Sequence, residues 1–176
     1  FLFYGESEGL KLIGVVMNVP AENSDLIWNR CSSVVDFSFD HFTVTPLITE
    51  DNNDFSYKIA NHGFFSSWKM GMASTGNISA CVDKTLVDGI TMTVEPVDTI
   101  AEMKSNGKLK LLTNVQKGDT VAYAVFSSGD TVVKKVALLA QKNALKAAWY
   151  DYALFVISGL LILGVTIRIF NELRHK

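Results

Sequence analysis

Short stretches of alternating apolar and polar residues dominate the first 140 positions. In the segment 33–39, Val35, Phe37 and Phe39 fall on one side of an extended chain, while Asp36 and Ser38 fall on the other. Period two over a short segment bounded by Asp, Asn, Gly or Pro is typical of a half-buried β-strand. The same reasoning predicts strands at 10–19 (closed by Pro20), 33–39, 42–47, 55–59, 120–126 and 131–139, with a turn at 50–54.

The dipeptide Asn106-Gly107 marks the clearest predicted turn. Asn-Gly supplies the two positive-φ positions of a type I′ turn, so we expect a hairpin between 100–105 and 108–113. Further turn signals recur about every 8–12 residues, which is typical of a sandwich or barrel. The sequence therefore predicts a mainly β fold, with an antiparallel β-sandwich domain over 1–140.

The C-terminal part of the chain has a different pattern. Residues 152–167 contain no charge; Trp149, Tyr150 and Tyr152 stand at one end and Arg168 at the other. Roughly 25 Å of helix fits in this span, slightly less than the hydrocarbon core of a bilayer, and the Arg168 side chain can reach the interface. We predict a transmembrane helix anchored by these four residues. A buried core helix is the alternative, but such helices rarely carry an aromatic belt and a basic end.

The stretch before the span, 141–148, is rich in helix formers and contains no Gly or Pro. We therefore expect one continuous helix over 141–173, which comprises a rigid stem and a single transmembrane helix. No Gly-, Ser- or Pro-rich linker separates it from the β-domain. The stem would hold that domain close to the bilayer.

The basic residues after the span predict its orientation. Arg174, His175 and Lys176 form a short tail at 174–176, and positive charge favours the cytoplasmic side. We expect the domain to be extracytoplasmic, in a lumen, at a cell surface or in a periplasm. That topology needs a cleaved signal peptide. The opening FLFYGESEG has neither Met nor a long apolar run, so we expect a processed or trimmed chain.

The composition excludes one class of partner. The formal net charge is −2, and acidic and basic residues are interspersed along the chain. Nucleic-acid binding needs a basic patch or stripe, so we predict no nucleic-acid partner. The expected partners are the lipid bilayer and other membrane protein subunits.

The chain has two cysteines, Cys31 and Cys81. In an oxidising compartment a disulfide bond between them is the natural interpretation, worth roughly 4 kcal/mol on the chain-entropy model. Two unrelated buried thiols are the alternative. We predict no metal site, because Cys-x-x-Cys spacing and nearby histidines are absent from the sequence. The triplet Asn77-Ile78-Ser79 is a glycosylation acceptor if the host is a eukaryote.

The segment 64–72 concentrates large apolar residues beside small ones. With period two, its even-numbered residues share a face that is either core or a contact surface, since exposed Trp, Phe and Met anchor interfaces. Near a bilayer these side chains could also enter the headgroup layer. The candidate partner-contact residues are Phe64, Phe65, Trp68, Met70 and Met72. The acidic cluster 50–54 lacks calcium-loop spacing and is better explained as a solvated turn.

The sequence contains no recognisable catalytic motif. We found no Gly-x-Ser-x-Gly, no phosphate-binding Gly-rich loop and no HExxH. We therefore predict no catalytic residue and no cofactor, and a non-catalytic accessory or structural subunit of a larger membrane assembly. The first alternative is a surface recognition or adhesion protein, including a viral envelope glycoprotein. The second is an enzyme with a spatial site that uses His41, His62, Asp40 or Asp54.

Overall fold

The computed structural model describes residues 1–17 and 24–174. The elements in chain order are β1 (Leu2–Ser7), β2 (Leu10–Val15), α1 (Ser24–His41), β3 (Phe42–Ile48), β4 (Phe55–Lys58), β5 (Lys69–Ala73), β6 (Ile78–Asp83), β7 (Ile90–Pro96), β8 (Ala101–Met103), β9 (Leu109–Leu111), β10 (Thr120–Ser128), β11 (Thr131–Ala140) and α2 (Trp149–Arg174). The mainly β prediction and the C-terminal apolar helix are confirmed. The predicted strand end at Pro20 and the basic residues His175 and Lys176 lie outside the described residues.

The chain folds into two compact units, and each is built from several stretches of sequence. Unit 1 comprises 1–53, 74–94 and 124–136, and unit 2 comprises 54–73, 95–123 and 137–176. Strands β4, β5, β11, β10 and β7 are hydrogen-bonded in that order, and three two-stranded sheets pair β1 with β2, β3 with β6, and β8 with β9.

Unit 1 contains a helix where a strand was predicted. The segment 33–39 belongs to α1, so the strand prediction there is wrong. Cys31, Val35 and Phe39 recur every four residues, and Cys31 is buried while Phe37 of the supposed strand face is exposed. This helical period, and not the alternation, decided the structure, because it lets α1 pack on β1, β2 and β3.

The hairpin formed by β1 and β2 presents two different faces. Phe3 and Gly14 are directly opposite in the register, and a Cβ at Gly14 would lie 2.0 Å from the Phe3 ring, so only glycine fits there. The other face is apolar and exposed, with Leu2 opposite Val15 and Tyr4 opposite Ile13.

A short 3₁₀ turn at Lys84–Gly89 follows β6 in the same unit. The Thr85 hydroxyl and the Thr85 backbone N–H both donate to the Asp83 carboxylate, at 2.6 and 2.8 Å. These bonds hold the pKa of Asp83 below its ordinary value. Asp83 therefore caps the turn in its charged form.

Unit 2 has a dense apolar core. Met70 and Met72 of β5 are almost fully buried, as are Leu109, Leu111, Val115, Val121 and Leu138. Asn61 joins two segments of this unit, since its side-chain amide donates to Leu111 O and its Oδ1 accepts from Leu111 N, both at 2.8 Å. The amide side chain thus imitates a ladder pair at the end of β9.

The predicted helical stem at 141–148 is wrong. Those residues form no helix: Ala144 pairs with Val115, Lys146 pairs with His62, and Gln141 N donates to Gly71 O at 2.9 Å. Backbone partners in unit 2 compete with the helix propensity of the stretch and prevail over it. The helix α2 begins only at Trp149.

Candidate functional site

At the base of α2, a buried carboxylate connects the helix to the loop 61–66 of the same unit. The Asp151 side chain is 6% exposed, its Oδ1 accepts from Phe64 N at 2.8 Å, and its Oδ2 accepts from Ala148 N at 2.7 Å. Asp151 N in turn donates to Ala148 O at 3.1 Å. One carboxylate therefore caps the first turn of α2 and binds it to the loop 61–66.

Aromatic side chains reinforce the same junction. The rings of Phe64 and Phe155 are 4.7 Å apart and edge-on, and the His62 ring is 6.3 Å from the Phe155 ring. Leu145 N donates to Ser66 Oγ at 2.8 Å. A cavity of about 530 Å³ lies beside them, lined by Gly63, Phe65, Asn114, 145–148, Trp149, Tyr150 and Asp151. The loop is thus fixed at the level of the first two turns of α2.

The predicted partner-contact residues separate into two groups. Met70 and Met72 are core residues, and Phe64 is half-buried against Phe155. Phe65 and Trp68 are exposed, with 85% and 54% of their surface accessible. The contact-surface interpretation therefore stays a prediction for Phe65 and Trp68.

Two lysines surround Trp68. The Lys69 ammonium lies 4.6 Å and the Lys58 ammonium 5.9 Å from the centroid of the Trp68 ring. The two lysines are directly opposite each other in the β4–β5 register. The surface is therefore both aromatic and basic.

The helix α2 has the composition of a membrane span. Its segment Trp149–Arg168 has a mean hydropathy of 1.8, and almost none of it is buried. Trp149, Tyr150, Tyr152 and Arg168 are all exposed, as an interfacial belt requires. By length and composition the helix can cross a bilayer.

The predicted disulfide bond is not formed. Cys31 is a free, buried thiol on α1, and Cys81 is a free, exposed thiol on β6. The prediction depended on an oxidising compartment and on the presence of two cysteines, and neither determines where the two thiols lie in the fold. Asn77 is exposed directly before β6, and its glycosylation stays a prediction.

The histidines considered for catalysis bind local carbonyl groups. His41 Nδ1 lies 2.9 Å from Phe37 O at the end of α1, and His62 Nδ1 lies 3.1 Å from Gly63 O. Asp40 is exposed in the last turn of α1, and Asp54 is exposed directly before β4. No cluster of three or more His, Cys, Asp or Glu side chains that could hold a metal occurs within 1–17 and 24–174.

The fold is similar to those of two bacterial proteins with solved structures. Penicillin binding protein 5 from Haemophilus influenzae matches with a TM-score of 0.61 and 12% identity over 82% of this chain and 38% of its own. The D-alanyl-D-alanine carboxypeptidase DacD from Francisella tularensis matches with a TM-score of 0.52 and 17% identity over 82% of this chain and 32% of its own. The chain thus spans roughly a third of the length of each.

Comparisons by sequence add nothing further. No family profile matches the chain, and no curated protein matches it. At these identities, the structural likeness shows a shared fold.

This likeness corrects the functional prediction. A fold found in penicillin binding protein 5 and in a carboxypeptidase overturns the expected non-catalytic assembly subunit, its adhesion alternative and the expectation that the chain is not an enzyme. The complex-subunit, glycoprotein and disulfide descriptions lose their support with it. The sequence did not predict the shared fold, because at 12–17% identity no sequence pattern indicates it.

Penicillin-binding proteins use a serine nucleophile in a Ser-x-x-Lys motif, and this spacing occurs twice here. Ser66 and Lys69 have it, as do Ser105 and Lys108. Ser66 Oγ accepts the Leu145 N–H, Lys69 lies over Trp68, and neither pair is on a helix, where residues three apart share a face. Neither pair therefore presents its serine and its lysine on a shared helix face.

Proposed function

We propose that this chain is the membrane-proximal, β-rich part of a peptidoglycan-acting enzyme of the D-alanyl-D-alanine carboxypeptidase type. Such an enzyme hydrolyses the peptide bond before a C-terminal D-alanine and releases that residue. The observation that carries the proposal is the fold likeness over 82% of this chain to penicillin binding protein 5, joined by the likeness to DacD. The nucleophile would belong to the part of such an enzyme that this chain does not match.

The exposed face of the β1–β2 hairpin supports this proposal. Leu2, Tyr4, Ile13 and Val15 form an apolar surface on a two-stranded sheet, and such a sheet is marginally stable without further packing. The solved neighbours are much longer than the stretch that this chain matches. The remaining part of the enzyme would cover this face.

The proposal includes a place in the cell. In it, α2 is a transmembrane helix, an antiparallel β-sandwich lies on the extracytoplasmic side where peptidoglycan is, and the tail at 174–176 is cytoplasmic. The apolar, exposed Trp149–Arg168 segment supports this arrangement. The lipid bilayer is the proposed partner, and association with other membrane subunits stays an untested prediction.

The junction at Asp151 gives the chain a defined role in that enzyme. Because Asp151 and Phe155 fix the loop 61–66 to the first turns of α2, unit 2 would have a fixed height above the bilayer. A fixed height restricts the catalytic part to the layer where its peptide substrate is accessible.

The test is made on the native protein, isolated from its own membranes with an antibody raised against the β-rich units. We expect covalent labelling by a fluorescent penicillin, which an excess of unlabelled penicillin prevents. We also expect release of D-alanine from a peptide that ends in D-Ala-D-Ala, but no release from one that ends in L-Ala-L-Ala. A protein that is neither labelled nor active would overturn the proposal.

Two variants locate the nucleophile. Ser66→Ala and Ser105→Ala should both retain penicillin labelling, because Ser66 Oγ accepts the Leu145 N–H and Ser105 lies in the exposed β8–β9 turn. Loss of labelling in a folded Ser66→Ala protein would move the catalytic serine into this chain.

A further inference from the structure

The connection between β4 and β5, together with the facing ends of the two strands, carries an exposed aromatic and basic surface. We call it the headgroup patch; it consists of Phe65, Trp68, Lys58 and Lys69. Phe65 and Trp68 are large apolar side chains with 85% and 54% of their surface exposed. We propose that the headgroup patch is a second bilayer contact, which inserts into the headgroup layer of anionic phospholipid. This inference rests on the proposed membrane anchoring by α2.

The height of the patch follows from its contacts with α2. The Phe64 ring meets Phe155, and Phe64 N donates to Asp151. Phe155 lies six residues beyond Trp149, which is about 9 Å along a helix axis. A loop held at that level lies in the interfacial layer if the aromatic belt of α2 does.

The electrostatics of the patch favour an anion. Lys58 and Lys69 are directly opposite in the β4–β5 register, and like charges in that position destabilise a sheet. Neither lysine forms an ion pair with a carboxylate among the described residues, and both lie over the Trp68 ring. An anionic headgroup would supply the missing negative charge, while Trp68 would take its usual position at a membrane interface.

The cavity beside the patch is also lined by aromatic and basic side chains. Phe65 and Tyr150 line it together with Lys146, whose ammonium is 3.1 Å from Leu112 O. Its volume of about 530 Å³ is in the range of a small-molecule site. A phospholipid headgroup therefore has both a basic surface and a recess at the base of the helix.

The experiment uses the full chain in nanodiscs, with an environment-sensitive fluorophore on one introduced cysteine in a Cys31→Ala, Cys81→Ser background. The reporter positions are Ser67→Cys in the patch, Ser105→Cys in the exposed β8–β9 turn and Leu160→Cys within α2. The discs contain either phosphatidylcholine alone or a mixture with phosphatidylglycerol. Nitroxide-labelled lipids measure how close each reporter lies to the bilayer.

We expect the reporter at 67 to be blue-shifted and quenched by nitroxides near the headgroup, and the reporter at 105 to resemble one in water. Replacing Lys58 and Lys69 by Gln should lower the inserted fraction about fivefold for each lysine in anionic discs, with little effect in phosphatidylcholine. The matched control, Lys104→Gln with Lys108→Gln, removes the same charge from the β8–β9 turn and should change nothing.

The reporter at 160 separates the two proposals. If 160 is quenched deep in the bilayer while 67 resembles water in both lipids, the headgroup patch does not bind lipid and the inference is overturned, which leaves the surface to a protein partner. If 160 also resembles water, α2 does not span the bilayer and the anchoring proposal fails as well.

Discussion

At the scale of single residues, Asp151 is the one buried charged side chain in the described part of the chain. It is a nearly buried carboxylate that accepts two backbone N–H groups from different segments of unit 2. Apolar residues surround it in sequence, and in a membrane-anchored chain it stands at the first turn of the span. Its burial is tolerated because both oxygens are hydrogen-bonded.

Replacing Asp151 by Ala should destabilise unit 2. The change leaves the N–H groups of Phe64 and Ala148 without their acceptor, which costs about 2 to 4 kcal/mol of unfolding free energy for the pair. Thermal unfolding followed by circular dichroism in detergent measures it. Asp130→Ala, in the exposed β10–β11 turn, is the control and should shift stability by less than about 0.5 kcal/mol. Equal melting of the two variants would contradict the role assigned to Asp151.

The sequence predicted the aromatic belt beside Asp151, but it did not predict the hydrogen bonds of Asp151. The aromatic belt of Trp149, Tyr150 and Tyr152 was visible as a pattern, since belts are made of side chains adjacent in sequence. The partner of Asp151 is Phe64, 87 positions away, and no local pattern reports such a pair. Phe65 and Trp68 were chosen for their chemistry, but only the structure separates them from the buried Met70 and Met72.

At the scale of elements, the β8–β9 hairpin formed as predicted but with a different turn. Gly107 has a φ of 72°, whereas Asn106 is not among the described residues with positive φ. Gly107 N donates to Lys104 O, and Lys104 N donates to Lys108 O, both at 2.9 Å. This is the three-residue connection with a glycine in the left-handed region, and not the two-residue type I′ turn.

The turn can be tested by two substitutions. Gly107→Ala should cost about 1 kcal/mol of unfolding free energy, because a Cβ there meets no other atom and the whole cost is the left-handed backbone. Asn106→Ala should cost less, since Asn106 loses only the bond from Lys108 N to its Oδ1. A type I′ turn would make the two costs similar. Urea titration of the detergent-solubilised chain measures both, and Ser105→Ala provides the baseline.

The predictions for 33–39 and 141–148 were wrong because each used a local sequence pattern alone, and tertiary contacts selected a different structure. Alternation at 33–39 coexists with the four-residue spacing of Cys31, Val35 and Phe39, and packing on the β1–β2 hairpin selects the helix. The stretch 141–148 has helix formers, yet the backbone of Val115 and His62 pairs with it. Strands β3, β4, β10 and β11 were predictable because their alternation has no such competitor.

At the scale of the whole molecule, the sequence pattern predicts the fold class but not the proteins that share the fold. The mainly β fold and the apolar helix could be derived from periodicity, since both depend on which faces are apolar. The shared fold with penicillin binding protein 5 and DacD could not be derived, because it is a three-dimensional likeness at 12–17% identity. The lack of motifs suggested a non-catalytic protein, but motif residues occupy few positions of an enzyme, and a chain that matches a third of one need not contain them.

The two free cysteines provide a test of topology without an introduced reporter. Cys81 is exposed and Cys31 is buried, so a membrane-impermeant maleimide should react with Cys81 alone in the folded protein. If the β-rich units are extracytoplasmic, intact spheroplasts treated with a reductant should give the same labelling as lysed ones. Cys81→Ser should abolish the signal, and denaturation should restore labelling through Cys31. Labelling of Cys81 only after lysis would place these units in the cytoplasm, away from peptidoglycan, and would contradict the proposed enzyme together with its orientation.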